Sequence, residues 1–159
     1  MFTQKPYAAF GYVLIENTYT ANEVVEVTVN DASIATFFWT KGRFQSVNKD
    51  TGQAVPDWVA GTFIKPDQYI KGTFVQTPIG ETVVWCYDPK LNRQFEPSMS
   101  KFDVSDTQTT LLTQGTKLFL CEGTIVIDGK QITAPTQVYV KNGDKEALAQ
   151  GQCYGILFA

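Results

Sequence analysis

The residues of this chain that could act as nucleophiles or soft metal ligands are three cysteines, Cys86, Cys121 and Cys153. Their spacing fits neither a zinc-binding pattern nor a disulfide framework. Each cysteine lies in an apolar, strand-like run, so we expect buried thiols that pack as small hydrophobic side chains. Reduced cysteines are typical of proteins made in a cytoplasm.

The chain contains no histidine. Histidine is the usual general base for a Ser or Cys nucleophile and the commonest metal ligand. Asp103 and Asp106 lie close together in a polar segment, where a solvated face is expected rather than a Ca²⁺ or Mg²⁺ site. No glycine pattern of a phosphate-binding loop occurs. We therefore predict no catalytic residue, no cofactor and no bound metal, and a protein that is not an enzyme.

Aromatic side chains are the remaining signal for function. Phe38, Trp39, Trp58 and Trp85 could form a subunit interface or a platform for a sugar ring. They could equally fill the core between two sheets. Phe37, Phe38 and Trp39 are consecutive, so in a strand they point to both faces, and the sequence leaves the two interpretations open.

The charge balance excludes several classes of partner. The chain has 13 Lys and Arg against 16 Asp and Glu, a net charge of −3, with no basic run. Nucleic acids and anionic membrane surfaces both attract basic footprints, so neither is expected as a partner. No secretion signal is expected at the N-terminus, and no apolar run approaches the roughly 20 residues of a membrane span.

Composition and turn signals predict an all-β fold. Aromatic residues make up 13% of the chain, and short strand-like runs alternate with Gly, Pro, Asn and Asp clusters. Residues 48–52 and Asp128-Gly129 are hairpin signals. We predict a single antiparallel β-sandwich or jelly-roll-like barrel over residues 1–159, with an alternative sub-division into 1–87 and 107–159. The predicted strands are 10–15, 23–29, 34–39, 44–47, 54–59, 63–64, 69–76, 82–87, 115–123, 136–140, 146–150 and 153–158, and residues 124–132 are predicted to form a tight hairpin.

Residues 88–106 interrupt the strand pattern, because they are polar, contain two prolines and have no clear period. Loops longer than about 12–15 residues in compact domains are usually functional or flexible. We therefore predict a long irregular loop here that serves as a contact arm. A helical turn is expected over 106–112. The arm residues are Leu91, Arg93, Phe95, Met99 and Phe102.

Residues 115–158 resemble a cupin-type double-stranded β-helix. The resemblance is carried by the run Phe-Leu-Cys-Glu-Gly-Thr-Ile-Val-Ile-Asp-Gly-Lys from Phe119, by Ala134-Pro135, by 138–140 and by the turn at Gly151. Catalytic cupins hold a metal through several histidines and a carboxylate, which this chain cannot supply. The resemblance therefore implies a jelly-roll fold and no site.

The chain is a small β domain rich in Thr, Gln and Gly, with no histidine, with reduced cysteines and with an irregular arm. In these features it resembles tailed-bacteriophage virion components of the decoration, fibre or adaptor type. This resemblance implies a non-catalytic structural role in the virion, after synthesis in the host cytoplasm. The implied partners are other virion proteins and the chain itself, as a homo-oligomer with a trimer favoured. Two alternatives stay open: a carbohydrate-binding module for receptor glycans, and a metal-free cupin-like enzyme with a deep barrel pocket.

Overall fold

A computed structural model describes residues 2–159, which form two antiparallel sheets joined by turns and two short 3-10 segments, Pro66–Gln68 and Pro89–Leu91. The prediction of an all-β antiparallel fold is confirmed. The first sheet contains β1 (Thr3–Ala9), β2 (Tyr12–Tyr19), β3 (Val25–Val29), β4 (Thr36–Asn48), β5 (Ala54–Val59), β6 (Phe63–Ile64) and β7 (Gly72–Tyr87). The second contains β8 (Met99–Val104), β9 (Thr109–Leu112), β10 (Lys117–Ile127), β11 (Lys130–Thr133), β12 (Thr136–Tyr139) and β13 (Lys145–Phe158).

The chain divides into two compact units. Unit 1 contains the residues up to Ala8 and Val13–Phe95, and unit 2 contains Ala9–Tyr12 and Glu96–Ala159. The boundary near residue 95 lies inside the segment that the sequence marked as irregular. Within unit 2, the Phe10 N–H donates to Gln137 Oε1 at 3.0 Å, and the Tyr12 ring stacks on Phe158.

The predicted first strand, 10–15, begins too early. Phe10 and Gly11 have φ angles of 53° and 84°, so they form the turn between β1 and β2. Strand β1, which precedes this turn, was not predicted at all, because its sequence contains Lys and Pro and all of its residues except Tyr7 and Ala9 are exposed. Strand β1 belongs to the sheet because it pairs with β2, and a hydrophobic pattern in its own sequence does not indicate this pairing.

In unit 1, the long strands β4 and β7 form the centre of the sheet. Strand β4 pairs with β5, β6 and β7, while β7 also pairs with β2 and β3. Phe74, Gln76 and Pro78 of β7 are buried and alternate with half-buried neighbours, as expected for one inward face of a strand. This inward row therefore carries a polar side chain, Gln76, between two apolar ones.

Unit 2 repeats the pairing pattern of unit 1. Strand β10 pairs with β11, β12 and β13, as β4 pairs with β5, β6 and β7. Strand β13 pairs with β9 through its first part and β8 through its last part, as β7 does with β3 and β2. The two sheets are thus two copies of one six-strand arrangement, to which unit 1 adds β1.

A bulge glycine occupies the same place in both copies. The register between β4 and β7 shifts around Lys41-Gly42, and the register between β10 and β13 shifts around Glu122-Gly123. Three residues before each glycine, Trp39 pairs with Val84 and Leu120 pairs with Gly155. With these registers, inward-facing residues of unit 1 can be matched to the residues at the same places in unit 2.

The segment 88–106 is more regular than predicted. Met99 and Phe102 belong to β8 and are buried at 6% and 4% exposure, so they cannot be part of an exposed arm. Both residues pair with β13, where Met99 faces Phe158 and Phe102 faces Gly155. Leu91, Arg93 and Phe95 are exposed, and the irregular part reduces to residues 92–98. The helical turn expected over 106–112 is wrong, because Thr109–Leu112 form β9.

Candidate functional site

Unit 1 contains a cavity of about 290 Å³ that is partly open to solvent. We call this the unit 1 cavity. Its walls come from β2, β3, β4, β5, β6, β7 and the segments that connect them. The aromatic residues of the wall are Tyr19, Phe37, Trp39, Phe44, Trp58 and Tyr69. The aliphatic residues are Val25, Val27, Val29, Ala32, Ile34, Ala35, Ile64 and Val84, and the polar ones are Asn17, Thr28, Ser33, Gln76, Asp88 and Lys90.

The aromatic side chains pack edge to face around Trp39. The ring centroids of Trp39 and Trp58 are 4.9 Å apart at an interplanar angle of 66°, and Trp39 meets Phe44 at 6.1 Å and 86°. Tyr19 contacts Phe44 in the same way at 5.1 Å. Such arrangements place the positive edge of one ring against the face of the next. The result is a rigid, mostly apolar wall.

Two residues of the cavity wall each carry a buried donor atom that has no hydrogen-bond partner in the described part of the chain, as do Thr40 and Ser46 outside the wall. The two donor atoms of the wall are Trp39 Nε1 and Gln76 Nε2, and we call them the donor pair. Trp39 is 2% exposed and Gln76 is 4% exposed. Asn17, the other buried polar residue of the wall, differs from them: its Oδ1 accepts from Gln4 and its Nδ2 donates to the Val84 carbonyl.

The rim of the cavity is more polar than its interior. Asp88 and Lys90 lie there, and the Asp88 carboxylate accepts a hydrogen bond from the Lys90 backbone N–H at 2.9 Å. The segment 30–35 between β3 and β4 also contributes to the rim, and the Tyr69 hydroxyl donates to the carbonyl of Ala35. Burial raises the pKa of Tyr69, so this hydroxyl remains a donor at neutral pH.

Cys86 lies on β7 near the same wall, between the cavity residues Val84 and Asp88. Burial, with a smaller contribution from the charge of Asp88, raises the pKa of the Cys86 thiol to about 12. The nucleophile of cysteine chemistry is the thiolate, which is scarce at neutral pH for such a group. The thiol of Cys86 is therefore protonated at neutral pH. The predicted burial is confirmed for Cys121 and Cys153, whereas Cys86 is half-buried.

The corresponding positions of unit 2 are filled by apolar side chains. Counted from the bulge glycines and through the strand registers, Asn17, Trp39, Phe44 and Gln76 correspond to Phe102, Leu120, Ile125 and Ala147. All four of these unit 2 residues belong to one buried hydrophobic cluster. The same strand arrangement thus holds a packed core in unit 2 and a cavity with polar groups in unit 1.

The aromatic residues singled out in the sequence have separate positions. Trp39 and Trp58 come together in the cavity wall, whereas Phe38 and Trp85 do not line it. Phe38 is 1% exposed and Trp85 is fully buried, so an exposed glycan platform of these residues is wrong. Large side chains on the inner face of a sheet pack against each other rather than face solvent.

Sequence reasoning missed Gln76 and Tyr69. Gln76 carried a usable signal, because an amide at the inward position of an alternating apolar strand needs a partner or a function. Tyr69 carried none, because its role depends on the carbonyl of Ala35, which is distant in sequence.

Among residues 2–159, no cluster of His, Cys, Asp or Glu has an arrangement that could bind a metal ion. Within the same residues, no helix has the length and apolarity that crossing a bilayer requires.

No protein-family model matches this chain, and no curated protein sequence matches it. Several solved structures match this chain. HutD from Pseudomonas fluorescens matches 99% of this chain and 94% of its own, with a TM-score of 0.55 and 11% identity. YhaK from Escherichia coli matches at a TM-score of 0.46, with 8% identity over 99% of this chain and 92% of its own. A cupin 2 conserved barrel domain protein from Leptotrichia buccalis matches at 0.43, with 7% identity over 99% and 88%.

The similarity to HutD is one of fold, since the identity is low. It agrees with the antiparallel jelly-roll type of fold expected from the sequence. These matches give no support to a place in a phage particle.

Proposed function

We propose that this chain binds a small, mostly apolar molecule in the unit 1 cavity and acts by binding rather than by catalysis. The observation that carries the proposal is the contrast between the units. One strand arrangement is built twice, and the unit 1 copy keeps about 290 Å³ open where the unit 2 copy is packed. Packed interiors are the rule in proteins, so an open volume with aromatic walls supports a ligand site.

The side chains of the cavity wall favour a function in ligand binding rather than in catalysis. The ionisable groups among them are Tyr19, Tyr69, Asp88 and Lys90. Burial raises the pKa of both tyrosines, which keeps them protonated. Asp88 caps the 3-10 segment that begins at Pro89. This leaves the wall without a facing pair of carboxylates or an activated nucleophile.

A titration with a neutral fluorescent probe such as N-phenyl-1-naphthylamine tests this function. We expect saturable binding with energy transfer from Trp39 and Trp58. A Val27→Phe substitution fills part of the cavity and should weaken binding by roughly tenfold, because overpacked sites tolerate extra volume poorly. The matched control is Val75→Phe, on β7 at a position outside the cavity wall. Equal binding to both variants, or none to the unmodified protein, would contradict the proposal.

A second candidate function is assembly with another protein, and a specific observation favours it. Leu91 and Phe95 are each 53% exposed, within a few residues of one another. A role in a virus particle, or in a homo-oligomer such as a trimer, would use this contact. Size-exclusion chromatography with light scattering tests it: an oligomer that Leu91→Ser/Phe95→Ser converts to a monomer supports assembly. A monomer at all concentrations, with no partner on the same surface, counts against it.

A further inference from the structure

The donor pair gives the unit 1 cavity a chemical preference. We propose that its ligand is an uncharged ring compound carrying at least one hydrogen-bond acceptor, such as a ring carbonyl, that the donor pair binds. This inference rests on the proposed function and specifies the ligand class. Its evidence is the chemistry of the donor pair, the charges of the wall and the volume of the cavity.

The donor pair has no role that folding alone requires. A buried donor without a partner costs about 1–3 kcal/mol relative to one that is satisfied. Unit 2 builds the same strands with Leu120 and Ala147 at these two positions, so the fold does not need an indole and an amide there. A molecule in the cavity would satisfy these donors once a small rotation of the Trp39 and Gln76 side chains turns the two nitrogens toward it.

The polarity of the missing partner follows from the donors. The indole Nε1 of Trp39 can only donate, so its partner must be an acceptor. The Gln76 amide can donate through Nε2 and accept through Oε1, so it can bind an acceptor that also contacts Trp39. An alcohol or amine that offered only its donor would leave Trp39 unsatisfied. Carbonyl, ether and aromatic nitrogen groups supply the acceptor.

The positions of the charged side chains in the cavity wall indicate the charge of the ligand. The formally charged side chains that line the cavity are Asp88 and Lys90, and both lie at the rim, while the donor pair is buried. An anion at the donor pair would lose its hydration without a cation to replace it, which is costly in an apolar site. The acceptor is therefore neutral.

The size and surface of the ligand follow from the volume and the aromatic wall. A volume of about 290 Å³ is just below the range of about 300–1,000 Å³ that is typical of ligand pockets. One or two rings fit such a space and can pack against Trp39, Trp58 and Phe44. A sugar of similar size would bury several hydroxyl groups for which this wall offers few partners.

Matched pairs of probes test the inference. We would measure the affinities of acetophenone and ethylbenzene, which have similar shapes and differ in the carbonyl, by calorimetry or ligand-detected NMR. Sodium benzoate and methyl glucoside serve as the charged and carbohydrate probes. We expect acetophenone to bind roughly fivefold more tightly than ethylbenzene, which is the size of a net hydrogen bond.

Substitutions in the donor pair then test whether these residues cause the preference for acetophenone over ethylbenzene. Trp39→Phe and Gln76→Leu keep apolar bulk and remove one donor each, and at least one of them should reduce the acetophenone preference to near unity. The ethylbenzene affinity of each variant is the reference for that variant, so a change in cavity volume affects both ring probes and cancels in their ratio. The control is Trp85→Phe, which removes a buried indole that does not line the cavity and should leave the preference unchanged.

The outcomes separate the two proposals. Binding of both ring probes with equal affinity, or a preference that neither donor variant reduces, overturns this inference and leaves ligand binding in the cavity standing. The same holds if benzoate or methyl glucoside binds more tightly than acetophenone. Failure of every probe to bind overturns the proposed function itself.

Discussion

Gly42 lies so close to Glu81 across the β4–β7 pair that a Cβ atom at position 42 would be 2.4 Å from the Glu81 carbonyl oxygen. Gly123 of unit 2 has the same relationship to the Gln152 carbonyl oxygen, at 2.6 Å. Both glycines have positive φ angles, 70° and 94°. The bulge that bends each central strand therefore depends on the absence of a side chain.

This relationship predicts that Gly42→Ala destabilises the protein by more than about 2 kcal/mol, because the Cβ meets backbone atoms that cannot move aside independently. Gly80→Ala is the matched control. Gly80 has a similar φ of 74°, but a Cβ there would meet nothing within 4 Å. Its cost should be that of the backbone conformation alone, about 1 kcal/mol. Urea unfolding of the two variants makes the comparison, and equal losses would show that the close approach is unimportant.

We expect the substitution by leucine to have opposite effects on stability at Asn17 and at Gln76. Both side chains are buried, but Asn17 bonds with Gln4 and with the Val84 carbonyl, at 2.8 and 3.1 Å. Asn17→Leu should cost about 2 kcal/mol or more, because it leaves buried groups without partners. Gln76→Leu breaks no side-chain hydrogen bond within residues 2–159 and should be neutral or stabilising without ligand. A loss for Gln76→Leu as large as for Asn17→Leu would mean that Gln76 has a structural partner.

The sequence predicted the class of fold because strand periodicity and turn chemistry are local. Residues 48–52 and Asp128-Gly129 form the hairpins expected of them, since Val47 pairs with Ala54 and Ile127 with Lys130. The errors are also local. The predicted strands 34–39 and 44–47 are both parts of β4, and the predicted strand 115–123 and hairpin 124–132 split β10 at Gly123. In both units a bulge glycine was interpreted as the end of a strand.

The site was less predictable than the fold. Trp39 could be recognised as inward or outward only once its neighbours across the sheet were known. Its burial in a cavity wall depends on Val84, Phe44 and Trp58, which come from other parts of the chain. The sequence also did not reveal that the two units share one strand arrangement, because this similarity is in the pairing of the strands. Leu120 in place of Trp39 and Ala147 in place of Gln76 leave little similarity between the two sequences.

The raised pKa of the Cys86 thiol predicts a loss of stability at alkaline pH. Its pKa rises from 9.0 to about 12 on folding. A raised pKa means that the folded state keeps a proton that the unfolded state releases above pH 9.0. The resulting stability is fully present below pH 9.0 and is lost as the pH rises toward 12, at up to about 1.4 kcal/mol per pH unit.

Denaturant unfolding between pH 8 and pH 10 measures this effect, and Cys86→Ala should flatten the decline. Part of it should persist, because burial also raises the pKa of Cys153. Tyr19 and Tyr69, whose pKa values rise from 10.0, contribute mainly above that range. An unchanged slope in Cys86→Ala would show that this thiol is not protected in the folded protein.

The hydrogen bond from the Tyr69 hydroxyl to the Ala35 carbonyl fixes the segment 30–35 at the rim of the unit 1 cavity. Tyr69→Phe keeps the ring and removes the bond, so we expect a stability loss of about 1 kcal/mol. Opening of this segment should also become more frequent, since local openings follow the local free energy. Faster amide hydrogen exchange at residues 32–35 and faster release of a bound probe are the measurements.

Asp31→Asn provides the matched control for this prediction. It removes the ion pair between Asp31 and Lys71 from the same segment, but these side chains are 87% and 68% exposed. Exposed ion pairs contribute about 0–1 kcal/mol, so exchange and release should change little. If Asp31→Asn loosened the segment as much as Tyr69→Phe, surface charge would control access to the cavity. If neither variant changed the release rate, the ligand would enter by another part of the rim, and Asp88 and Lys90 would be the next residues to substitute.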